Sequence, residues 1–173
     1  GPAIGGPAVD PGLWPLSPRI VFLNHGSFGS CPRAVLERQR SLRDALEGDP
    51  VQFLARDLEG LLDGARGPLA ALVGARPEDL AFVPNATTGV NTVLRSIAIR
   101  PGEELLVTNH EYNACRNAVD LAAERAGART VVAEIPFPIS GPDEVVERVL
   151  ERVSGRTRLV LVDHVTSQTG LVL

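Results

Sequence analysis

The 173-residue sequence contains no lysine, because all 17 of its basic residues are arginine. A general preference for arginine over lysine accounts for this composition without any functional reason. The absence still has a chemical consequence, since the lysine amine is the group that forms a Schiff base with a carbonyl compound. These 173 residues therefore lack the means for that class of covalent catalysis.

Long apolar runs and basic clusters are missing as well. No apolar stretch approaches the ~20 residues of a membrane-spanning helix. The N-terminus also lacks the basic and then apolar segments of a secretory signal. The formal net charge is −4, so we expect no nucleic-acid partner. With 44% hydrophobic and 22% charged residues, the composition predicts a globular, cytoplasmic protein without membrane contact.

The sequence shows no disulfide or metal pattern. Cys31 and Cys115 form no C-x-x-C pair, and two free thiols are the expected state in a reducing compartment. The three histidines, His25, His110 and His164, have no spacing typical of a zinc site, so we predict no bound metal. The nucleotide-binding pattern G-x-x-x-x-G-K-[ST] and the nucleophile pattern G-x-S-x-G are also absent.

From residue 77 onward, short valine-rich apolar runs alternate with helical patterns. This alternation predicts an α/β fold, with a mostly parallel sheet and helices on both faces. Strands are predicted at residues 79–83, 104–108, 128–135 and 157–165, and helices at residues 87–99, 113–127 and 141–155. Because a parallel sheet usually continues past such a final strand, we expect these residues to form an incomplete part of the fold.

The N-terminal part of the chain has a different composition. Residues 1–18 are rich in proline and glycine and are predicted to be an extended arm. Residues 19–76 are predicted to be a lead-in with one strand, RIVFLN, and two helices, the second of which is kinked or split near Gly64 and Pro68. Residues 77–173 then form the first half of a larger α/β domain.

The stretch VPNATTGVN, residues 83–91, joins a predicted strand to a predicted helix. Ligands of parallel sheets bind at the carboxyl ends of strands, where helix N-termini present unpaired N–H groups and a positive dipole end. Ala86, Thr87 and Thr88 lie at this place, so their amides and hydroxyls are candidates for holding a phosphate. A threonine that only caps the helix is the alternative.

Two further polar clusters follow predicted strands. The stretch TNHEYNACRN contains Tyr112, whose flat ring could stack on an aromatic ligand. The stretch DHVTSQTG is dense in hydrogen-bonding groups. Asp163 and His164 are not expected to act as a dyad, because adjacent residues of a strand point to opposite faces. Since these clusters share the carboxyl ends of strands, we predict one common pocket.

Four stretches in this order, LNHGSFG, PNATTGVN, NHEYNACRN and DHVTSQTG, resemble the class V branch of the pyridoxal-phosphate-dependent aminotransferases, especially its isopenicillin N epimerase-like members. The resemblance runs from about Ile20 to Leu173. It implies the N-terminal part of a fold-type I transferase, with pyridoxal 5′-phosphate as cofactor, an amino acid as substrate and a homodimer as assembly. Asn24 and His25 would then lie in a substrate-facing loop.

The resemblance also assigns roles to the later residues. It implies that Ala86, Thr87 and Thr88 bind the cofactor phosphate, and that Tyr112 covers the pyridine ring. Ser167 matches a position near the phenolic oxygen of the cofactor, where desulfurases usually carry asparagine. The serine therefore favours the epimerase-like branch.

The family also needs a lysine that binds the cofactor as a Schiff base and an aspartate against its pyridine nitrogen, and both lie beyond the stretch matched here. No catalytic residue is therefore assigned, and this chain alone is expected to be inactive. Two other functions stay open. One is a non-catalytic, lysine-free α/β domain that binds a phosphate or a protein; the other is a cysteine desulfurase-like enzyme, although Cys31 and Cys115 do not match its catalytic position.

Overall fold

The computed structural model describes residues 10–173, so the first nine residues of the predicted N-terminal arm lie outside the described residues. The chain forms two compact units, which divide between Ala81 and Phe82. Each unit is described by itself. The three-part division at residues 18 and 76 stays a prediction.

The first unit contains helices and turns in its described part. The helices are α1 (His25–Phe28), α2 (Arg33–Gly48), α3 (Pro50–Gln52) and α4 (Leu58–Val73). A π-helical turn (Phe53–Asp57) leads from α3 to α4, and 3₁₀ turns lie at Pro11–Leu13 and Pro77–Asp79. Asp49 starts α3, because its carboxylate accepts a hydrogen bond from the Gln52 amide at 3.0 Å. Gly74 ends α4 with a left-handed backbone, φ 69°.

One prediction for this unit is wrong, and another is only partly tested. The strand predicted at residues 19–24 does not form, because a strand needs a hydrogen-bonded neighbour and the described part of this unit contains no other strand. Of the kink or split predicted near Gly64 and Pro68, the split is not seen, since α4 runs without a break through Pro68, and the kink stays a prediction. A proline removes only one backbone donor, and the remaining backbone bonds carry the helix on.

The second unit alternates helices and strands, as predicted. Its elements are α5 (Ala86–Ser96), β1 (Glu104–Thr108), α6 (Asn113–Ala126), β2 (Arg129–Ala133), α7 (Pro142–Leu150) and β3 (Thr157–Val160). All strand pairs are parallel, and the order in the sheet is β2-β1-β3. Residues 79–83 are not part of the sheet: a 3₁₀ turn occupies their start, and an apolar run forms a strand only where it can join a sheet edge.

Strand β1 is the centre of the second unit. Its residues alternate between two faces, so Leu105 and Val107 point to one side and Leu106 to the other. The first face packs against α5 and α6 through a cluster that includes Leu94, Val119 and Ala123. The second face packs against α7 through Val145. The prediction of a parallel sheet with helices on both faces is therefore confirmed.

Glu104 holds the amino ends of the strands together. Its side chain is 2% exposed and bonds to Arg129 at the start of β2 (2.5 Å) and to Arg156 just before β3 (2.9 Å). The Ser154 hydroxyl also donates to it at 2.7 Å. These donors, Ser154 foremost, lower the pKa of Glu104 to about 2, since they all favour the charged carboxylate.

None of the helices formed by residues 10–173 combines the length and the apolar composition that would carry it across a membrane.

The packing of β1 can be tested by truncating one of its side chains. Leu105 is fully buried, so Leu105→Ala should lower the free energy of unfolding by about 2–5 kcal/mol, through lost burial and a residual cavity. Leu150→Ala is the matched control, because Leu150 is 62% exposed and should cost much less. Urea denaturation of both variants measures the difference. Equal losses would show that the core does not lie at β1.

The Glu104 cluster predicts a specific response to acid. Folding lowers the pKa of the Glu104 carboxylate from 4.5 to about 2. Its contribution to stability is therefore fully present above pH 4.5 and is lost as the pH falls through about 2. Glu104→Gln keeps the shape but cannot ionise, so it should be less stable than the parent chain at neutral pH and should approach it below about 2. Thermal denaturation against pH measures this. A constant difference over that range would contradict the ionic role.

Candidate functional site

The strand order brings two loops together at the carboxyl edge of the sheet. β1 lies between β2 and β3, so the chain leaves β1 toward one side and reaches β3 on the other side. Such a reversal opens a crevice beyond the carboxyl ends of the two strands, which is the usual ligand site of open α/β sheets. The loop after β1 and the loop after β3 meet there: the Gln168 side chain donates to the Glu111 carbonyl at 3.0 Å.

Asn85 starts α5 at this edge. It has an extended backbone, and its Oδ1 accepts hydrogen bonds from the Thr88 amide (2.8 Å) and the Thr88 hydroxyl (3.1 Å). The alternative of a threonine cap is therefore wrong, because Asn85 is the N-cap residue and both threonines lie inside the first turn of the helix. The amides of Ala86 and Thr87 belong to the first turn, where a helix offers no internal acceptor. They remain available to a ligand.

Thr87 connects the starts of two helices. Its side chain lies within hydrogen-bonding reach of the Cys115 thiol, in the first turn of α6. Cys115 is buried and free, and its burial, reinforced by Asp163 and Glu111, raises the pKa of the thiol. The N-termini of α5 and α6 thus lie side by side. Two positive helix ends in one place favour an anionic ligand.

His110 has a structural role in this loop. It is 6% exposed, and its two ring nitrogens bond to the Thr169 hydroxyl and to the Ile135 carbonyl, each at 2.9 Å. Asn109 exchanges two further bonds with the backbone of Ile135, at 2.8 and 3.0 Å. These contacts fix the backbone just ahead of Tyr112.

Tyr112 immediately precedes α6 and is 47% exposed. Its amide donates a hydrogen bond of 2.7 Å to the Asp163 carboxylate, which belongs to the loop after β3. The backbone is therefore fixed while the ring stays accessible, as stacking on a planar ligand requires. Asp163 and His164 have different partners, since His164 bonds to the carbonyl of Leu173 at 2.5 Å.

Glu111 is the least expected member of the site. It is 4% exposed, and no hydrogen bond of ordinary geometry reaches either carboxylate oxygen from the described residues. Burial and the adjacent Asp163 carboxyl raise its pKa to about 8, against the weaker opposing effects of the Tyr112 amide and the Arg116 guanidinium. The sequence shows Glu111 only as one polar residue among several, because its burial depends on the pairing of distant strands.

Ser167 lies in a tight loop after β3. Thr166 shapes this loop, since its hydroxyl accepts a bond from the Leu171 amide at 2.8 Å and contacts Thr169. Ser167 itself is exposed. The predicted residues Ala86, Thr87, Thr88, Tyr112 and Ser167 therefore all belong to the second unit, at the starts of α5 and α6 and in the loop after β3.

Asn24 and His25 belong to the first unit instead. Asn24 precedes α1, and the His25 ring contacts the edge of Phe22, with 4.7 Å between ring centroids. His25, Trp14 and Phe22 line an open cavity of about 940 Å³ in this unit. Across residues 10–173, no group of three or more His, Cys, Asp or Glu side chains is arranged to hold a metal ion.

The chain is similar in sequence to one family of known proteins. A model of the family "Aminotransferase class-V" matches residues 24–173. The chain is 40% identical over 161 residues to isopenicillin N epimerase of Amycolatopsis lactamdurans, covering 91% of this chain and 40% of that protein. It is 29% identical over 170 residues to a probable chloroplastic L-cysteine desulfhydrase of Arabidopsis thaliana, covering 90% of this chain and 36% of that protein.

The fold is also similar to solved structures. A mutant of C-DES with glycine covalently linked to its PLP cofactor aligns with a TM-score of 0.78 and 24% identity, over 90% of this chain and 41% of that one. This likeness supports the fold. The chain thus spans about 40% of the length of the proteins it matches.

The Asn85 cap leads to a stability prediction for α5. Asn85→Ala removes the acceptor of both Thr88 bonds and should lower the free energy of unfolding by about 1 kcal/mol. Asn85→Asp keeps a capping oxygen and is the matched control, expected to stay close to the parent chain. Urea denaturation compares the three proteins. An alanine variant as stable as the aspartate variant would show that the cap does not hold this corner.

Proposed function

The chain belongs to the aminotransferase class V family, and we propose that it forms the cofactor-phosphate half of a pyridoxal-phosphate-dependent enzyme acting on an amino acid. The cofactor of this family is pyridoxal 5′-phosphate. One observation carries the proposal: α5 and α6 pack against each other, with Thr87 in the first turn of one helix near Cys115 in the first turn of the other. This arrangement suits a dianionic phosphate next to an aromatic ring.

Different residues of the second unit would bind different parts of the cofactor. The amides of Ala86 and Thr87 hold the phosphate at the start of α5, and Thr88 keeps that turn in place through its bonds to Asn85. Tyr112 covers the pyridine ring, because its amide is fixed while its ring is accessible. Ser167 is exposed in the loop after β3 and would contribute its hydroxyl at the edge of the ring.

The amine that binds the cofactor covalently must come from outside these 173 residues, because they contain no lysine. We therefore expect this chain to bind the cofactor without a covalent bond and to be inactive alone. Bound pyridoxal phosphate supplies an electron sink for reactions at the α-carbon of an amino acid. The residues described here bind and orient it.

Epimerisation is the reaction we favour among those open to this family. The 40% identity to an isopenicillin N epimerase exceeds the 29% identity to a cysteine desulfhydrase, and Ser167 fits the epimerase-like pattern. Asn24 and His25 are the substrate-binding residues proposed for the first unit, where His25 lines a cavity. A homodimer in the cytoplasm completes the proposal.

A second candidate is a non-catalytic domain that binds a phosphate group. The absence of lysine favours it, because such a domain needs no covalent bond to the cofactor. The two candidates differ in whether the ring contributes to binding. A phosphate-binding domain would hold inorganic phosphate as well as pyridoxal phosphate, whereas the enzyme would prefer the ring-bearing molecule.

Equilibrium dialysis of the 173-residue chain tests the proposed site. Pyridoxal phosphate should bind more tightly than either pyridoxal or inorganic phosphate. Tyr112→Ala should weaken binding about three- to tenfold through lost stacking, whereas Tyr112→Phe keeps the ring and should bind normally. Borohydride treatment should leave no cofactor attached to the chain. Equal affinity for pyridoxal and pyridoxal phosphate would overturn the proposal, since the α5 corner would then hold no phosphate.

A further inference from the structure

The Glu111 carboxyl group is buried next to the proposed cofactor site, and cofactor binding does not explain its burial. Its side chain is 4% exposed, and both oxygens lie out of contact with solvent. The residue lies in the loop between β1 and α6, three residues after the end of β1 and directly before Tyr112. A buried carboxylate without hydrogen bonds is costly, and a protein tolerates it only if the group is neutral or paired.

The groups around Glu111 do not supply a dedicated cation. Asp163, from the loop after β3, is a second acid and lies close enough for a hydrogen bond between the two carboxyl groups. On α6, the Cys115 thiol is buried, and Arg116 bonds to Asp120 through its Nε at 3.0 Å. The α5 neighbour, Thr87, is uncharged. The nearby guanidinium is thus shared with another carboxylate.

The contact between Glu111 and Asp163 determines which of the two carboxyl groups carries a proton. Two carboxylates have no donor, so a hydrogen bond between Glu111 and Asp163 requires one proton between them. Asp163 already accepts the Tyr112 amide at 2.7 Å, so that oxygen acts as an acceptor. Glu111 is the more buried of the two and has no such donor of good geometry. The proton therefore belongs on Glu111.

We propose that Glu111 is a neutral acid that donates a hydrogen bond to ionised Asp163, and that this pair positions Tyr112 at the start of α6. Glu111 is a positioning residue, because it acts on Tyr112 through Asp163. The identity of the ligand beside Tyr112, pyridoxal phosphate, rests on the proposed function. The hydrogen-bonded pair itself depends on the burial and contacts of these three residues.

The pair should respond to alkaline pH. The pKa of Glu111 is raised from 4.5 to about 8, so its stabilising contribution is fully present below 4.5 and is lost as the pH rises through about 8. Above that point two adjacent carboxylates repel each other, and the bond from the Tyr112 amide to Asp163 becomes strained. The start of α6 should then loosen while the remaining fold persists.

Nuclear magnetic resonance of the 173-residue chain tests the inference directly. The Tyr112 amide proton should shift with pH, with a midpoint of about 8. In Glu111→Gln the side chain donates to Asp163 but cannot ionise, so this titration should disappear. Difference infrared spectra of the two proteins should show the C=O band of a protonated acid in the parent chain alone, about one pH unit below the midpoint.

Further variants separate positioning from general stability. Glu111→Ala should weaken pyridoxal phosphate binding severalfold, and Glu111→Gln should restore it and make it independent of the Glu111 titration. Should Glu111→Gln fail to fold, Asp163→Asn provides the second test, because removing the ionised acceptor should lower the midpoint of the Glu111 titration.

The outcomes distinguish this inference from the proposed function. A protonated-acid band and a Tyr112 titration without any cofactor binding would support the pair and refute the cofactor site. A Tyr112 amide that does not titrate near this pH, or that titrates equally in Glu111→Gln, would overturn the inference even if the cofactor binds.

Discussion

The burial of β1 on both faces is the constraint on which the rest of the second unit depends. Leu105 and Val107 hold α5 and α6 on one side, while Leu106 holds α7 on the other. Because the strand is central, its carboxyl end can lie beside the loop after β3 and beside the starts of two helices. The site is therefore a consequence of core packing, and polar residues are placed there by an apolar strand.

Within that frame, short polar contacts set the geometry of the site. Asn85 fixes the first turn of α5, and Thr87 reaches Cys115 in the first turn of α6. Asp163 then ties the Tyr112 amide to the loop after β3. The first contact is local to α5, whereas the contacts of Thr87 with Cys115 and of Tyr112 with Asp163 join elements that are distant in sequence.

The sequence allowed much of the fold to be predicted, for physical reasons that are local. The strand at 104–108 and the helix α6 were predicted from the short-range apolar pattern, and the strand predicted at 157–165 forms at Thr157–Val160. The strands expected at 19–24 and 79–83 fail because a strand depends on a neighbour, and periodicity carries no information about neighbours. The same limit applies to Glu111, whose burial arises only when β1 and β3 pair. The carboxyl-edge location of Tyr112 was predictable, because it follows from the order of β1 and α6, whereas Thr87 was expected to follow a strand at residues 79–83 that does not form.

The two glutamates that flank β1 show how position sets the charge of one side-chain type. Glu104, at the amino end, is 2% exposed and has two arginines and a serine hydroxyl as partners, so its pKa falls to about 2. Glu111, beyond the carboxyl end, is 4% exposed and faces an aspartate, so its pKa rises to about 8. Burial is similar, and therefore the partners decide. The amino edge is stabilised by a charged carboxylate, whereas the carboxyl edge holds an acid whose stabilising contribution requires it to stay protonated. Such a placement is typical of a functional site, where the protein accepts an electrostatic cost in order to fix a nearby group.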